Sequence, residues 1–411
     1  MENESLEKFY FRSSDDFLQQ AIVASQFVKK RFRKSPIPRE RWNQSYLTNL
    51  AIEENSFVRE VGLSPQAFNR LCFLLQAPLR VDSQRSAAAS PRSDPISLES
   101  RVFAALSELK GARRIETMRT HGVASSTAYK NFQKVVMAIN AIPELAIQCD
   151  MSQQAQLERS QAFEKLSTSG LFKYCTGAID GIALTTIAPP RSKFLNQAQF
   201  HSGSKKKNCI NMQAVCDAEL KFLAISVQHT GCTNDSEAFD TSSLKDLCNL
   251  HVFPLHWLGD NAYTLTESMI VPFAGINHET DPHLESFNFY QSQIRITIER
   301  TFGVFIRRWG IFSHANRYDI RFFFQIIHAA ARLHNFCINN SVPLIPTRST
   351  GEISVAVDDN GRLMDSAWQI LSPAGFPSQD SDMRIGSTLR EHIVEILLNS
   401  PNLQVLRSHN Q

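Results

Sequence analysis

Four acidic residues stand beside apolar segments that are far apart in the chain. Asp180 follows "CTGAI", Asp235 follows "GCTN" and Asp260 follows "HWLG", each where an apolar strand pattern ends. Side chains at strand ends of an α/β sheet project into the crevice where ligands bind. Glu299 lies instead within the helical pattern "IRITIERTFGVFIRRWGIF". Because aspartate beside glycine is also a common turn arrangement, no single one of these acids establishes a site.

The chemistry depends on whether Asp180, Asp260 and Glu299 converge. Two unit charges 4 Å apart repel by about 4 kcal/mol at an effective dielectric constant of 20. Protonation of one acid would relieve this repulsion. A divalent cation would relieve it more fully, and hard oxygen ligands suit Mg²⁺ or Mn²⁺. Two such ions can clamp the attacking and leaving oxygens of a phosphodiester.

The elements that position these acids follow from hydrophobic periodicity. "LFKYCTGAIDGIALTTIA" predicts a strand broken by Gly177 and Gly181, and "CINMQAVCDAELKFLAISV" predicts a hairpin with its turn at 217–219. "FPLHWLGDNAY" predicts a short strand that ends at Gly-Asp-Asn. Helical spacing follows at about 287–309 and again at about 322–339. Strands that end in acids, followed by a helix with another acid, indicate an α/β core.

The segment upstream of this core is predicted to be helical. Ser64 in "SPQAFNRLCFLL" and Ser97 in "SLESRVFAALSELKG" are expected N-caps. In "IETMRTHGVASSTAYKNFQKVVMAI", a short helix ends at Gly122 and Ser125 or Ser126 caps a second one. A helix, a short glycine-containing turn and a helix are the pattern of a helix-turn-helix, although an ordinary helical hairpin has the same pattern.

Basic residues outnumber acidic ones in this helical region, as phosphate contacts require. The basic residues are Arg101, Lys110, Arg113, Arg114, Arg119, Lys130 and Lys134. The run "KKRFRK" at 29–34 is either a nuclear-import or phosphate-contacting patch or a solvated charged face.

Composition excludes several classes of protein. The chain has 411 residues, long enough for two domains, and its net charge of +3 is too weak by itself to argue for nucleic acid. None of the eight cysteines forms a C-x-x-C pair, which argues against a zinc ribbon or a redox motif. We expect reduced thiols, an intracellular protein without a signal peptide, and no membrane span.

Several blocks resemble, in order and spacing, the nuclease of PIF/Harbinger transposases and their domesticated relatives. These blocks are "GAIDGIALTTIAPP", "KNCINMQAVCDAELKFLAISVQHTGCTNDSEAF", "LGDNAYTL", "IERTFGVFIRRW" and "LHNFCI". Upstream, "LSPQAFNRLCFLL" and "HGVASSTAYKNFQKVV" resemble the helix-turn-helix region of the same family. The resemblance covers about residues 42–340 and implies an RNase H-like fold with a DDE triad.

The resemblance assigns a role to each acid. Asp180 matches the first acid, in the G-x-x-D-G block, Asp260 the second and Glu299 the third. Asp235 matches a further aspartate that is often a metal ligand in the family. The implied activity is a divalent-metal-dependent DNA endonuclease that uses a DDE two-metal mechanism with Mg²⁺ or Mn²⁺, in which Asp180 and Asp260 bind both ions.

Some positions depart from the family pattern without changing an acid. Ile182 and Ala183 stand where Thr or Cys and then His are usual, Asn234 stands where His is usual, and Ala262 replaces a glycine. These changes motivate an alternative, which is a domesticated, catalytically silent DNA-binding or adaptor protein. A third alternative is an RNase H-like enzyme that acts on RNA.

Double-stranded DNA is the expected partner. A Myb-like DNA-binding partner protein and assembly into a homo-oligomer are further expectations. The expected location is the nucleus, with the cytoplasm as a further one. Four arginines surround Glu299 in the sequence, namely Arg295, Arg300, Arg307 and Arg308. We expect them to bind DNA phosphates or to pair with the acids. The predicted DNA-binding residues are Arg113, Arg114, Lys130, Lys134, Lys205, Lys206, Lys207, Arg295, Arg300, Arg307 and Arg308.

The predicted fold class is α/β, an RNase H-like DDE nuclease core with an N-terminal all-α helix-turn-helix region and a flexible C-terminal tail. The expected boundaries are a polar arm at 1–46, the helical DNA-binding region at 47–150, the nuclease domain at 171–340 and a mostly flexible tail at 341–411. Within the tail, "TLREHIVEILLNS" predicts one short helix.

Overall fold

The computed structural model describes residues 54–82, 84, 96–190, 194, 196–276, 281–344 and 386–403. All of them belong to one compact unit, Arg41–Gln411. The run "KKRFRK" and the predicted arm at 1–46 lie outside the described residues. The described part is a mixed α/β structure in which helices pack on a mixed sheet.

Eleven α-helices and six strands lie within the described ranges. The helices are α1 Glu54–Val61, α2 Pro65–Leu75, α3 Leu98–Leu109, α4 Arg114–Thr120, α5 Ser125–Ala141, α6 Gln153–Glu164, α7 Asp235–Asp240, α8 Ser243–Cys248, α9 Pro282–Arg308, α10 Ile320–Asn339 and α11 Gly386–Leu398. The strands are β1 Cys175–Thr185, β2 His201–Ser202, β3 Lys207–Cys216, β4 Phe222–Thr230, β5 His256–Leu258 and β6 Met269–Ile270.

The sheet combines antiparallel and parallel pairing around β1. β3 pairs antiparallel with β1 and with β4, whereas β5 pairs parallel with β1 and β6 pairs parallel with β5. The predicted hairpin is confirmed, and Asp217 Oδ1 accepts hydrogen bonds from the backbone N–H groups of Glu219 and Lys221 in its turn. β2 pairs only with the first two residues of β3. The central strand of this sheet is therefore β1, with a neighbour on each side.

β1 differs from its sequence prediction in two ways. It is one strand through Gly177 and Gly181, so the predicted break at Gly181 is wrong, whereas at Gly177 its pairing with β5 has a register shift. Asp180 is paired with Ala214 in the interior of the strand rather than at its end, which corrects the strand-end placement. The glycines are in the strand for packing reasons, because a Cβ at Gly177 would lie 2.9 Å from side-chain atoms of Trp257 and of Val215.

The N-terminal helices begin largely where the caps predict. Ser64 accepts a hydrogen bond from the N–H of Ala67 at 3.3 Å, and Ser97 accepts one from the N–H of Ser100 at 3.2 Å. The predicted cap of α5 is wrong, since Ala124 occupies the N-cap position and makes no side-chain cap bond. Whether α4 and α5 act as a DNA-binding helix-turn-helix stays a prediction.

These helices share a hydrophobic core with the sheet and with α9 and α10. The edge-to-face cluster of Phe57, Phe68 and Phe103 has ring centroids 5.3 to 6.3 Å apart. The same contiguous core includes Phe305 of α9 and Phe323 of α10. Each such buried aromatic side chain contributes about 1.5–3 kcal/mol through removal of apolar surface from water. The helical region is therefore packed against the sheet layer.

A buried carboxyl group joins α3 to the segment just before α10. The Glu108 carboxylate is 2% exposed and accepts a hydrogen bond from the Tyr318 hydroxyl at 3.0 Å. The Arg114 guanidinium lies 3.9 Å from the same carboxylate and over the rings of Tyr129 and Tyr318. Burial raises the pKa of Glu108 to about 7, with the Tyr318 bond and Arg114 opposing the rise.

The C-terminal helix α11 packs on a second core cluster. Leu389, Ile393 and Leu397 are buried there together with Phe287 and Ile294 of α9. A helix is thus present where "TLREHIVEILLNS" predicts one. All eight cysteines are free thiols. No helix within the described ranges combines the length and the apolar character that a membrane crossing needs.

Replacement of Glu108 by Gln is expected to stabilise the fold at alkaline pH. The folded-state pKa of Glu108 is about 7, above the ordinary value of 4.5. Between these two pH values the folded state binds more protons than the unfolded state. The free energy of unfolding therefore falls as pH rises through that window. Glu108→Gln removes this loss, so at pH 8 it should raise the free energy of unfolding by up to about 3 kcal/mol.

Urea unfolding at pH 4.5 and pH 8 measures this effect. Glu60→Gln removes an exposed carboxylate of α1 and is the matched control. Equal stability of Glu108→Gln and the wild-type protein at pH 8 would contradict the assignment of a costly buried charge to this position.

Candidate functional site

The four acids are placed by four different elements and all are half-buried. Asp180 lies in the interior of β1, and Asp260 directly follows Gly259 after β5. Asp235 is the first residue of α7, whose N-cap Asn234 accepts a hydrogen bond from the N–H of Glu237 at 2.8 Å. Glu299 projects from the long helix α9.

One arginine bridges two of the acids. Arg295 Nη2 lies 2.7 Å from Glu299 Oε1, one turn along α9, and Arg295 Nη1 lies 3.4 Å from Asp180 Oδ2 on β1. The side chains of Arg295 and Asp180 are each 19% exposed. Asp260 also interacts electrostatically with Arg295 and Glu299. Asp180, Asp260 and Glu299 therefore converge around a single guanidinium.

The protonation of this group reflects burial and mutual repulsion. Burial raises the pKa of Asp180 to about 7, Arg295 opposes the rise, and the charges of Asp260 and Glu299 add to it. Burial also raises the pKa of Asp260, against a hydrogen bond of 2.9 Å from the N–H of Ala262 to Asp260 Oδ1. Burial lowers the pKa of Arg295. The charges of Glu299, Asp180 and Asp260, together with the hydrogen bond to Glu299, outweigh this effect and raise the pKa overall. The cluster thus keeps its arginine charged.

Asp235 approaches from the other face of the sheet. Successive side chains of a strand point to opposite faces, and a Cβ at Gly181, next to Asp180, would overlap the Asp235 carboxylate and the Gln213 amide. Asp235 interacts electrostatically with Asp260. Asp235 therefore lies on the face of β1 opposite to Asp180, whereas Asp180 and Glu299 lie on the α9 side, at Arg295.

Two amides of β3 orient Asp235. Asn211 Nδ2 and Gln213 Nε2 both donate to Asp235 Oδ1, at 3.0 Å and 2.7 Å. The Tyr263 hydroxyl donates to Gln213 Oε1. Among the residues that the structure describes, none donates to Asp235 Oδ2. The carboxylate is therefore fixed through one oxygen and presents the other.

The sequence analysis missed Asn211, Gln213 and Tyr263. A signal was present, because Asn211 and Gln213 are two polar residues spaced i, i+2 in the otherwise apolar "CINMQAVC" and so share one face of the strand. Gln291 was also missed, and its amide donates to the Gly259 carbonyl at 2.7 Å, which fixes the loop before Asp260. No local pattern in the sequence identifies that contact.

The carboxylate groups suit a hard divalent cation as ligands, but their arrangement in this structure does not form a complete metal site. Carboxylate oxygens are the ligands that Mg²⁺ and Mn²⁺ prefer. Within the described ranges, no group of three or more His, Cys, Asp or Glu side chains is arranged to hold a metal ion. Arg295 instead provides the positive charge between Asp180 and Glu299.

The predicted DNA-binding residues fall into three groups. Arg308 is 4% exposed and donates to the backbone carbonyls of Gly62 and Val342, so it joins α9 to the N-terminal helices and is not positioned to reach DNA. Arg114 and Arg295 are half-buried in the contacts described above. The exposed members are Arg113, Lys130, Lys134, Lys205, Lys206, Lys207, Arg300 and Arg307.

Replacement of Gly181 by Ala is expected to destabilise the protein by about 1–3 kcal/mol, the usual cost of an added methyl group without space. The methyl group would displace the Asp235 carboxylate or the Gln213 amide. Gly303→Ala is the matched control, because a Cβ at this position of α9 meets open space. The control should gain about 0.5–1 kcal/mol from helix propensity.

Urea unfolding of both variants distinguishes the two glycines. If Gly181→Ala is as stable as the wild-type protein, the close approach of Asp235 to β1 is wrong.

Comparison with known proteins supports a relationship for part of the chain. Residues 179–335 match the family model described as DDE superfamily endonuclease. The matched segment contains all four acids together with Asn211, Gln213, Tyr263 and Arg295. Searches of curated proteins and of solved structures found no match. The segment that forms the sheet and the site is thus similar to a DDE superfamily endonuclease, which indicates a transposase-like nuclease.

Proposed function

We propose that this protein is a divalent-metal-dependent DNA endonuclease of the DDE type, related to the PIF/Harbinger transposases. The observation that supports the proposal most strongly is the convergence of Asp180, Asp260 and Glu299, three carboxylates far apart in the chain, within the segment that matches a DDE superfamily endonuclease. Clusters of acids with raised pKa values are typical of functional sites, and carboxylate oxygens are the ligands that Mg²⁺ and Mn²⁺ prefer.

In this proposal Asp180, Asp260 and Glu299 bind Mg²⁺ or Mn²⁺, with two ions expected from the resemblance. A divalent cation bound there supplies Lewis acidity for attack of water on a phosphodiester, and of a freed 3′-hydroxyl in a full transposase. Asp180 and Asp260 must be ionised to bind it, and burial raises the pKa of both. The pKa of Asp180, about 7, makes cation binding pH-dependent in the neutral range.

The surrounding residues orient these carboxylates. Gly181 donates its N–H to Asp180 Oδ1 at 2.7 Å, which leaves Oδ2 directed to Arg295. Gln291 and the N–H of Ala262 fix the loop that presents Asp260. On the opposite face Asn211 and Gln213 hold Asp235, which we propose supports Asp260. Such supporting hydrogen bonds define ligand geometry before any cation binds.

In this proposal, DNA contacts extend to the start of β3. Lys205 and Lys206 are exposed in the turn between β2 and β3, and Lys207, the first residue of β3, is also exposed. β3 pairs with β1 up to Thr185, which lies roughly 17 Å from Asp180 at 3.4 Å per strand residue. We propose that these lysines contact phosphates several base pairs from the cleaved bond.

Further parts of the proposal rest on the sequence. These are the RNase H-like architecture of the sheet, the helix-turn-helix role of α4 and α5 with Arg113, Lys130 and Lys134 at its surface, and the predicted domain boundaries. A nuclear location, a Myb-like partner protein and a homo-oligomer are proposed on the same basis.

The alternative is a catalytically silent DNA-binding protein that keeps this fold. Two observations favour it. Arg295 already neutralises part of the acidic cluster, and no three-ligand group is assembled within the described ranges. The departures at Ala183 and Asn234 agree with it. A cleavage assay separates the two functions.

Supercoiled plasmid should be nicked or linearised in the presence of Mg²⁺ or Mn²⁺. Asp180→Asn, Asp260→Asn and Glu299→Gln should each reduce the rate by at least about 100-fold, because each removes a charge that has no substitute in a cation-dependent transition state. Gel analysis of plasmid topology against time measures the rate.

Glu219→Gln is the matched control for this assay. It removes an exposed carboxylate in the β3–β4 turn and should leave cleavage unchanged. Equal cleavage by Asp180→Asn and the wild-type protein would identify a contaminating nuclease. Cation-independent DNA binding without cleavage would favour the silent alternative.

The β2–β3 turn should contribute to DNA affinity through charge. Replacement of Lys205, Lys206 and Lys207 by Gln is expected to weaken binding most at low salt and to reduce the slope of log K against log salt by up to about 2.7, or about 0.9 for each phosphate contact. Fluorescence anisotropy of a labelled duplex at several salt concentrations measures the slope.

A triple variant of equal charge is the control for this measurement. Replacement of Lys165, Lys173 and Lys245 by Gln removes three exposed lysines that lie outside the proposed set of DNA contacts. If both triple variants reduce the slope equally, the effect reflects net charge and the turn has no specific role.

A further inference from the structure

We infer that Arg295 is the internal counter-ion of the acidic cluster, and that it competes with the divalent cation and sets the concentration at which the cation binds. This inference rests on the proposed function, since it concerns cation binding by the same carboxylates. It assigns to Arg295 a positioning role that is distinct from a contact with DNA phosphate.

The geometry gives Arg295 the partners that a cation would take. Its two terminal nitrogens contact a carboxylate oxygen of Asp180 and one of Glu299, on β1 and α9 respectively. The third carboxylate, Asp260, adds to the same field. Asp180 Oδ2, the oxygen that Gly181 leaves available, is the atom that Arg295 contacts.

The other arginines of the helix differ from Arg295 in their surroundings. Arg300 and Arg307 are exposed, and Arg308 is buried in contact with backbone carbonyls of other segments. A role in binding DNA phosphate requires an accessible guanidinium, whereas the guanidinium of Arg295 is occupied by two carboxylates. Arg295 is thus the arginine of α9 whose charge bears directly on cation affinity.

Arg295 and a divalent cation would compete for these carboxylates. Both are positively charged, and both are stabilised by Asp180 Oδ2 and a Glu299 oxygen within contact distance. In this inference, cation binding displaces the Arg295 side chain, and the ion pairs lost in that movement weaken the apparent affinity. The same ion pairs keep the acids together before the cation arrives, which limits their repulsion.

The test is a titration of the full-length, chelator-treated protein with Mn²⁺ at pH 8.5, so that Asp180 stays largely ionised when the arginine is removed. The electron paramagnetic resonance signal of free Mn²⁺ reports binding without any need for cleavage. Arg295→Gln should bind Mn²⁺ about tenfold or more tightly than the wild-type protein, equivalent to about 1.4 kcal/mol. Arg295→Lys keeps the charge and should remain within about threefold of wild type.

Two controls define the specificity of the effect. Lys221→Gln removes a lysine that lies 2.7 Å from Glu219, the same spacing as in the Arg295–Glu299 pair, and should leave Mn²⁺ affinity unchanged. Asp180→Asn should abolish the binding. Urea unfolding checks that each variant is folded.

A measurement on the wild-type protein tests the inference if Arg295→Gln does not fold. With ¹⁵N-labelled arginine, the side-chain Nε–Hε resonance that disappears in Arg295→Lys should shift when Mg²⁺ is added, since Arg295 leaves its carboxylates. An unshifted resonance at saturating Mg²⁺ would overturn the inference.

The outcomes separate the inference from the proposed function. If the wild-type protein binds Mn²⁺ and cleaves DNA but Arg295→Gln binds no more tightly, the counter-ion inference fails and the nuclease proposal stands. If no variant shows Mn²⁺ binding that depends on Asp180, the proposed function fails and the inference fails with it.

Discussion

Repulsion among the three carboxylates of Asp180, Asp260 and Glu299 is the constraint on which this structure depends. Two unit charges 6 Å apart repel by about 3 kcal/mol at an effective dielectric constant of 20, and a domain has only about 5–15 kcal/mol of net stability. The structure offsets this cost locally, through the guanidinium of Arg295 and backbone N–H groups that donate to both aspartates. The cluster is therefore tolerated without a bound ion.

Rigid elements hold the acids at their positions. Asp180 is paired with Ala214 of β3 within the central strand, and α9 is buried against the sheet along much of its length. The N-terminal helices share the core of α9 and α10, and the buried side chains of Glu108 and Arg308 join them to these helices. Exposed basic residues of α5 thus keep a defined position relative to the acids.

Two residues beside the acids have identifiable structural roles. Asn234 caps the helix whose first residue is Asp235. Ile182 packs against the main hydrophobic core from the face of β1 that also presents Asp180. Both residues support the elements that present the acids.

The sequence by itself determined the local elements, because helix caps and alternating apolar residues are short-range properties: Ser64, Ser97 and the turn at Asp217 needed no tertiary information. It also identified the acids as a set, although only through the resemblance of the blocks around them. Only the tertiary structure decided that β1 runs through Gly177 and Gly181, because residues of other elements fill the space that a side chain would need at these positions. It likewise decided that Arg295 faces the acids while Arg308 is buried, because helical spacing sets the angle between two side chains but not which neighbours surround each one.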